Sequence, residues 1–138
     1  VALKHGLKIT VTIAIAAFII LSIFRTPVAS IFNSHHQSIM MKYATAGLPI
    51  YFSSTTFTAI NLLLILFLTA IDAASTSFSL SLLRGYIILL PMIVILGFTL
   101  GTHGVWAAVP VTELLTTIIG TLVVRNRLSA LPDRNEKA

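Results

Sequence analysis

Cysteine is absent from the 138 residues, which excludes disulfides, thiol nucleophiles and thiolate metal sites. Charge is nearly as scarce. Asp, Glu, Lys and Arg make up 9% of the chain, against about 25% in an ordinary soluble domain, and a water-facing surface cannot be assembled from so few. The shortage is greater for acids, four against nine bases, for a formal charge of +5. In a soluble domain that excess would raise nucleic acid as a partner. Here the bases sit mostly near the chain ends, where they read as membrane orientation, and no nucleic-acid partner is expected. The chain also lacks a Gly-rich phosphate loop, a nucleophile elbow and an HExxH pair, so neither enzyme activity nor a cofactor is expected. His35-His36 reads first as an exposed loop pair and only second as a metal or proton-sensing site, since adjacent residues do not share a helix face and no carboxylate lies near.

What fills the chain instead is apolar: 57% hydrophobic residues and a mean hydropathy of +0.99. The solvent for most of such a surface is lipid, and in lipid the backbone must satisfy itself as helix. The expected fold is an all-α integral membrane protein with four transmembrane helices, at about 9–32, 43–71, 79–100 and 105–124. Residues 1–127 then form the membrane domain and 128–138 a polar tail. Pro27 should kink or end the first span, while Pro49, Pro91 and Pro110 fall inside the other three. A polar connector, 33–38, separates the first two spans. A Ser/Thr-rich link, 73–77, and a tight turn at Gly101-Thr102-His103-Gly104 separate the rest, and Arg125, Asn126 and Arg127 stop the fourth. Because the chain starts at Val1 rather than Met and its first apolar run is followed by others, that run is not a signal peptide, and the record is expected to begin inside a larger protein. Four spans put both ends on one side. Lys4, Lys8, Arg125, Arg127, Arg134 and Lys137 fall there and Arg25 and Lys42 opposite, so both ends are expected in the cytoplasm of a multi-pass protein of the cell (inner) membrane.

Polar residues inside these runs are the informative ones. Glu113 lies mid-span, where a charge costs about 2.5 kcal/mol or more on insertion scales. Thr116, Thr117 and Gly120 follow it on one small, polar face. That face reads either as a proton or cation site in a cavity wall or as a helix-packing ion pair. Arg84 is the available partner. It stands about one to two turns above the same membrane surface, Glu113 about eleven residues above it, and the two spans form a hairpin, so an Arg84–Glu113 pair or shared network is expected. Ser54, Thr58 and Asn61 follow i, i+4, i+7 spacing in the second span and should turn inward, either lining a substrate cavity or bonding between helices. Gly97 and Gly101 form a GxxxG pattern that permits close helix approach, and Tyr43 and Trp106 read equally as interface anchors or plain packing.

One stretch carries a resemblance. It contains Leu68-Thr69-Ala70-Ile71-Asp72, then Ser79-Leu80-Ser81-Leu82-Leu83-Arg84, then Leu89-Leu90-Pro91, then Gly101-Thr102-His103-Gly104-Val105-Trp106-Ala107-Ala108-Val109-Pro110-Val111-Thr112-Glu113. In order and spacing it resembles the multidrug and toxic compound extrusion transporters over 68–113, and its Gly-Val-Trp…Pro…Glu block is the most specific part. The resemblance implies twelve spans in two six-helix lobes, with this chain as the last four spans of the second lobe. It implies export of organic cations and other xenobiotics by sodium or proton antiport. Arg84 and Glu113 would match the family's arginine and acid of the last two spans, and Ser54, Thr58 and Asn61 would border the substrate and ion pathway. The expected partners are the lipid bilayer, the remaining spans and small organic cations; the coupling ion is the only cofactor-like requirement. Two departures stand out. Many members place a coupling acid in the span matching 43–71, whereas Asn61 is the most polar interior group here, and Asp72 stands where the family usually has glycine. The rival readings are a lipid-linked sugar flippase of the same wider superfamily and a four-helix membrane scaffold that transports nothing.

Overall fold

A computed structural model describes residues 2–33 and 38–129. All elements among these residues are helical: α1 (Ala2–Ile23), α2 (Arg25–Phe32), α3 (Ser38–Phe52), α4 (Thr55–Ala70), α5 (Ala74–Leu82), a π-helical turn (Leu83–Ile88), α6 (Leu89–Leu100) and α7 (Thr102–Ser129). Three stretches are long and apolar enough to cross a membrane, Leu3–Ile23, Ala74–Leu100 and Thr102–Ser129, and a fourth follows if α3 and α4 count as one bent span. Large apolar side chains such as Ile13, Ile20, Phe98 and Leu122 point outward along them. The chain has the form of a multi-pass membrane protein.

Proline and serine chemistry decides where the helices differ from the spans read in the sequence. Pro27 brings no N–H to the carbonyl of Ile23 and crowds it, and α1 ends at that residue; the chain turns at Phe24 and resumes as α2. The run 43–71 is not one helix. It breaks at Ser53 and Ser54, and α3 and α4 meet at 44°. Pro49 has already interrupted the ladder one turn earlier. The Ser53 and Ser54 hydroxyls then donate to the carbonyls of Ile50 and Tyr51 at 2.6 Å each, competing with the backbone. Pro91 follows the π-helical turn, a widened stretch of ladder just upstream of the missing donor. Pro110 sits inside α7 without breaking it. The Ser/Thr-rich link is helical from Ala74 onward, and within that helix the Ser79 and Ser81 hydroxyls return to carbonyls one turn back, of Ser75 and Ser77. α7 likewise continues past Arg125 and Arg127 to Ser129, with its bases in the last turns, where the helix dipole favours them. The connector histidines His35 and His36, and the tail beyond residue 129, lie outside the described residues.

The centre of the bundle is the crossing of α4 and α7. α1 packs on α4, α3 and α6 pack on α7, and α5 returns along α4. Along α7 the residues Gly104, Ala108, Thr112, Thr116, Gly120 and Val124 are all buried, one every fourth position, a ridge of the kind that seats in a neighbour's groove. Gly120 lets Leu64 of α4 and Leu80 of α5 close over it, and these leucines join Leu68 and Val124 as the apolar core. Gly104 lies against the carbonyl of Leu96, and Gly47 of α3 against the Trp106 indole. The close approach of α6 and α7 therefore uses Gly104 rather than the Gly97/Gly101 pattern. Gly101 instead makes the turn between them, at φ +62° and ψ −141°, a conformation open essentially to glycine.

Candidate functional site

Glu113 stands near the middle of the 28-residue α7 and is buried. Its carboxylate is held from two sides. Arg84, the second residue of the π-helical turn, places Nε 3.0 Å from Oε1. Asn61 of α4 donates from Nδ2 to Oε2 at 2.7 Å and to the Glu113 backbone carbonyl at 2.9 Å. That carbonyl also accepts from the Thr117 hydroxyl at 2.8 Å. The ion pair expected from helix depth is present, and the shared network extends to a third helix through Asn61.

The arrangement follows from local sequence. α4 buries Asn61, Leu64 and Leu68 on one face, so the leucines press on α7 and carry the amide in with them. The π-helical turn changes the register of the side chains that follow it, and it brings Arg84 onto α7. The arginine's side chain remains 24% exposed while that of Glu113 is 7% exposed, so the cation reaches in from the edge and the anion sits inside. An uncompensated carboxylate at such a position would be costly, and its charge is balanced here by one guanidinium and one amide.

Two oxygens in the same region have no partner among the described residues: Asn61 Oδ1 and Thr112 Oγ1, both buried. Carboxylate, amide and hydroxyl oxygens are the donors that a small hard cation takes. Glu113 and the free Asn61 oxygen are the groups that could offer them, once Arg84 gives up its place.

The other residues singled out in the sequence fall elsewhere. Ser54 is buried, but its hydroxyl closes the α3–α4 break on Tyr51. Thr58 is half-buried one turn before Asn61. Pro49 and Pro91 act through the backbone, at the break and after the π-helical turn, and Pro110 lies within α7 one turn before Glu113. Tyr43 is exposed, whereas Trp106 packs edge-on to Tyr51, with ring centroids 6.4 Å apart. Thr112 is a buried polar group beside the site that the sequence reading passed over; its signal is the four-residue spacing from Gly104 to Val124. Compared with known proteins, the chain matches no family model, no curated protein and no solved structure.

Proposed function

We propose that the chain supplies four spans of the second lobe of a secondary active multidrug exporter. This exporter would resemble the multidrug and toxic compound extrusion family, expelling organic cations in exchange for sodium or protons across the cell's inner membrane. The observation that carries the reading is the buried carboxylate of Glu113 in the middle of an apolar helix, countered by Arg84 on a π-helical turn and by Asn61 on a bent span. Intramembrane carboxylates mark ion and substrate pathways by default, and discontinuous helices accompany them in transporters. The sequence block from Leu68 to Glu113 supports the same reading. In this mechanism a proton or sodium ion reaching Glu113 removes the reason for Arg84 to stay. The released arginine and the α3–α4 break then give the lobe two arrangements, and both chain ends remain cytoplasmic. The flippase reading needs a base that is free for phosphate at rest, and in the arrangement seen Arg84, the base at this site among the described residues, is held by Glu113.

The test uses the intact protein in everted vesicles under an imposed sodium or proton gradient. The wild type should move a cationic dye, and Glu113→Gln, which keeps the shape and the Asn61 bond but not the charge, should abolish that movement at an unchanged inserted amount. Undiminished efflux by the variant sinks the role of Glu113. A wild type that moves a lipid-linked oligosaccharide and no dye sinks the exporter.

A further inference from the structure

Two apolar grooves on the surface of the described residues differ in one respect. The groove at the α2–α3 end, about 540 Å³, is lined by Ala29, Phe32, Ile39, Tyr43, Trp106 and their neighbours, with no charged residue among them. The groove at the opposite end, about 480 Å³, lies between α1, α4 and α7, and two of its lining residues are Lys4 and Arg125. Both cations are exposed and neither takes part in an ion pair among the described residues. Among the described residues the acid at this end, Asp72, does not line the groove. Inward from the cations the wall is mostly apolar, formed by Leu7, Ile60 and the largely buried Leu64, with Thr121 beside them turning its hydroxyl back to the Thr117 carbonyl and Ser129 at the rim.

We propose that this groove is a binding site for an anionic phospholipid. The headgroup phosphate sits between Lys4 and Arg125, and an acyl chain lies along Leu7, Ile60 and Leu64. The volume is in the roughly 300–1,000 Å³ range of ligand-sized clefts. The order of chemistry, cationic at the helix ends and apolar toward the middle, is that of a lipid standing in its own leaflet, and basic pockets between membrane helices select anionic headgroups. A free inorganic anion would satisfy the bases and leave the apolar wall uncovered. A zwitterionic lipid would fill the wall and bring a phosphate, but with its own cation beside the two bases and no net charge to offset theirs. Among its described lining residues the α2–α3 groove has the wall without the bases, so these accept acyl chains without selecting among headgroups. Lys8, exposed one turn beyond Lys4 on α1, and Arg127 add to the field at this end.

The intact protein, purified in neutral detergent, is mixed with phosphatidylglycerol or phosphatidylcholine of identical chains, and retained lipid is counted by native mass spectrometry. The wild type should prefer phosphatidylglycerol by about 25-fold, from two bases at about fivefold each. Lys4→Gln/Arg125→Gln should remove that preference, and Arg25→Gln/Lys42→Gln at the other end should leave it intact. Equal retention of the two lipids by the wild type overturns the proposal, as does a preference that survives the first double variant or vanishes in the second. Displacement of the lipid by millimolar inorganic phosphate also overturns it, because the site then reads phosphate alone. Should the first double variant fail to fold, a phosphatidylglycerol with a photoactivatable acyl chain decides on the wild type: labels on α1 near Leu7 or α4 near Ile60 support the site, and labels only elsewhere overturn it.

Discussion

α1 and α7 are both long and apolar, and α1 is the more apolar of the two, yet 33% of the most apolar stretch of α7 is buried against 6% for α1. Hydrophobicity does not explain this, since a leucine loses nothing by facing a lipid tail. α1 carries a short row of small and polar residues at every fourth position, Gly6, Thr10 and Ala14, whereas that of α7 runs from Gly104 to Val124 and is joined by a carboxylate that must be turned inward. α1 buries Ala14, and otherwise offers isoleucines to the outside. In this chain the interior is chosen by what lipid cannot satisfy and by where backbones can approach, which reverses the usual logic of a soluble core.

The largest test of that contrast removes the reason for α7 to face inward. Arg84→Met leaves the buried Glu113 carboxylate without its counter-charge and should cost about 3–5 kcal/mol. The double change Arg84→Met/Glu113→Leu takes both charges away and should cost much less than either single change. A denaturation series in mixed detergent on the four proteins of this cycle measures the coupling. A coupling near zero would mean that the small-residue row, not the ion pair, fixes α7.

The row itself is tested next. Gly47→Val puts a branched side chain where the Trp106 indole lies against α3, and overpacking of this kind costs about 1–3 kcal/mol. Trp106→Ala in the same protein should recover part of the loss, because it vacates the space the valine needs. An unchanged unfolding midpoint in Gly47→Val would show that α3 and α7 slide apart freely, and the buried face of α7 would then be narrower than it is drawn here.

The all-helical, multi-span character and the Arg84–Glu113 pairing could be read from the sequence because both depend on counting: runs of apolar residues for one, about 1.5 Å of rise per residue for the other. Asn61 was legible as an inward residue, but its partner was not, since that depends on the angle at which α4 crosses α7. The break at Ser53 and Ser54 was hidden for a related reason. The run 43–71 contains no charge to mark a boundary, and a serine pair reads as a polar stripe as readily as a break. Asp72 shows the reverse case. The resemblance set a glycine there, and the structure gives Asp72 a φ of +62°. It closes α4 with bonds from its own N–H to Thr69 at 3.2 Å and from Ala73 to Leu68 at 2.9 Å, the paired bonds of a glycine-type helix end.

The smallest expected effect is also the sharpest control. Ile13 of α1 is 64% exposed. Replacing it with alanine removes contacts that lipid or detergent supplies equally well, so Ile13→Ala should change stability by no more than about 0.5 kcal/mol. The value of the measurement lies in where it is made. In the intact protein, a loss beyond about 1.5 kcal/mol is the size expected when a buried isoleucine loses its packing. It would mean that α1's outward face lies against protein rather than lipid. The comparison with α7 would then hold only within these four spans, and α1 would be the helix through which they join the rest of a larger bundle.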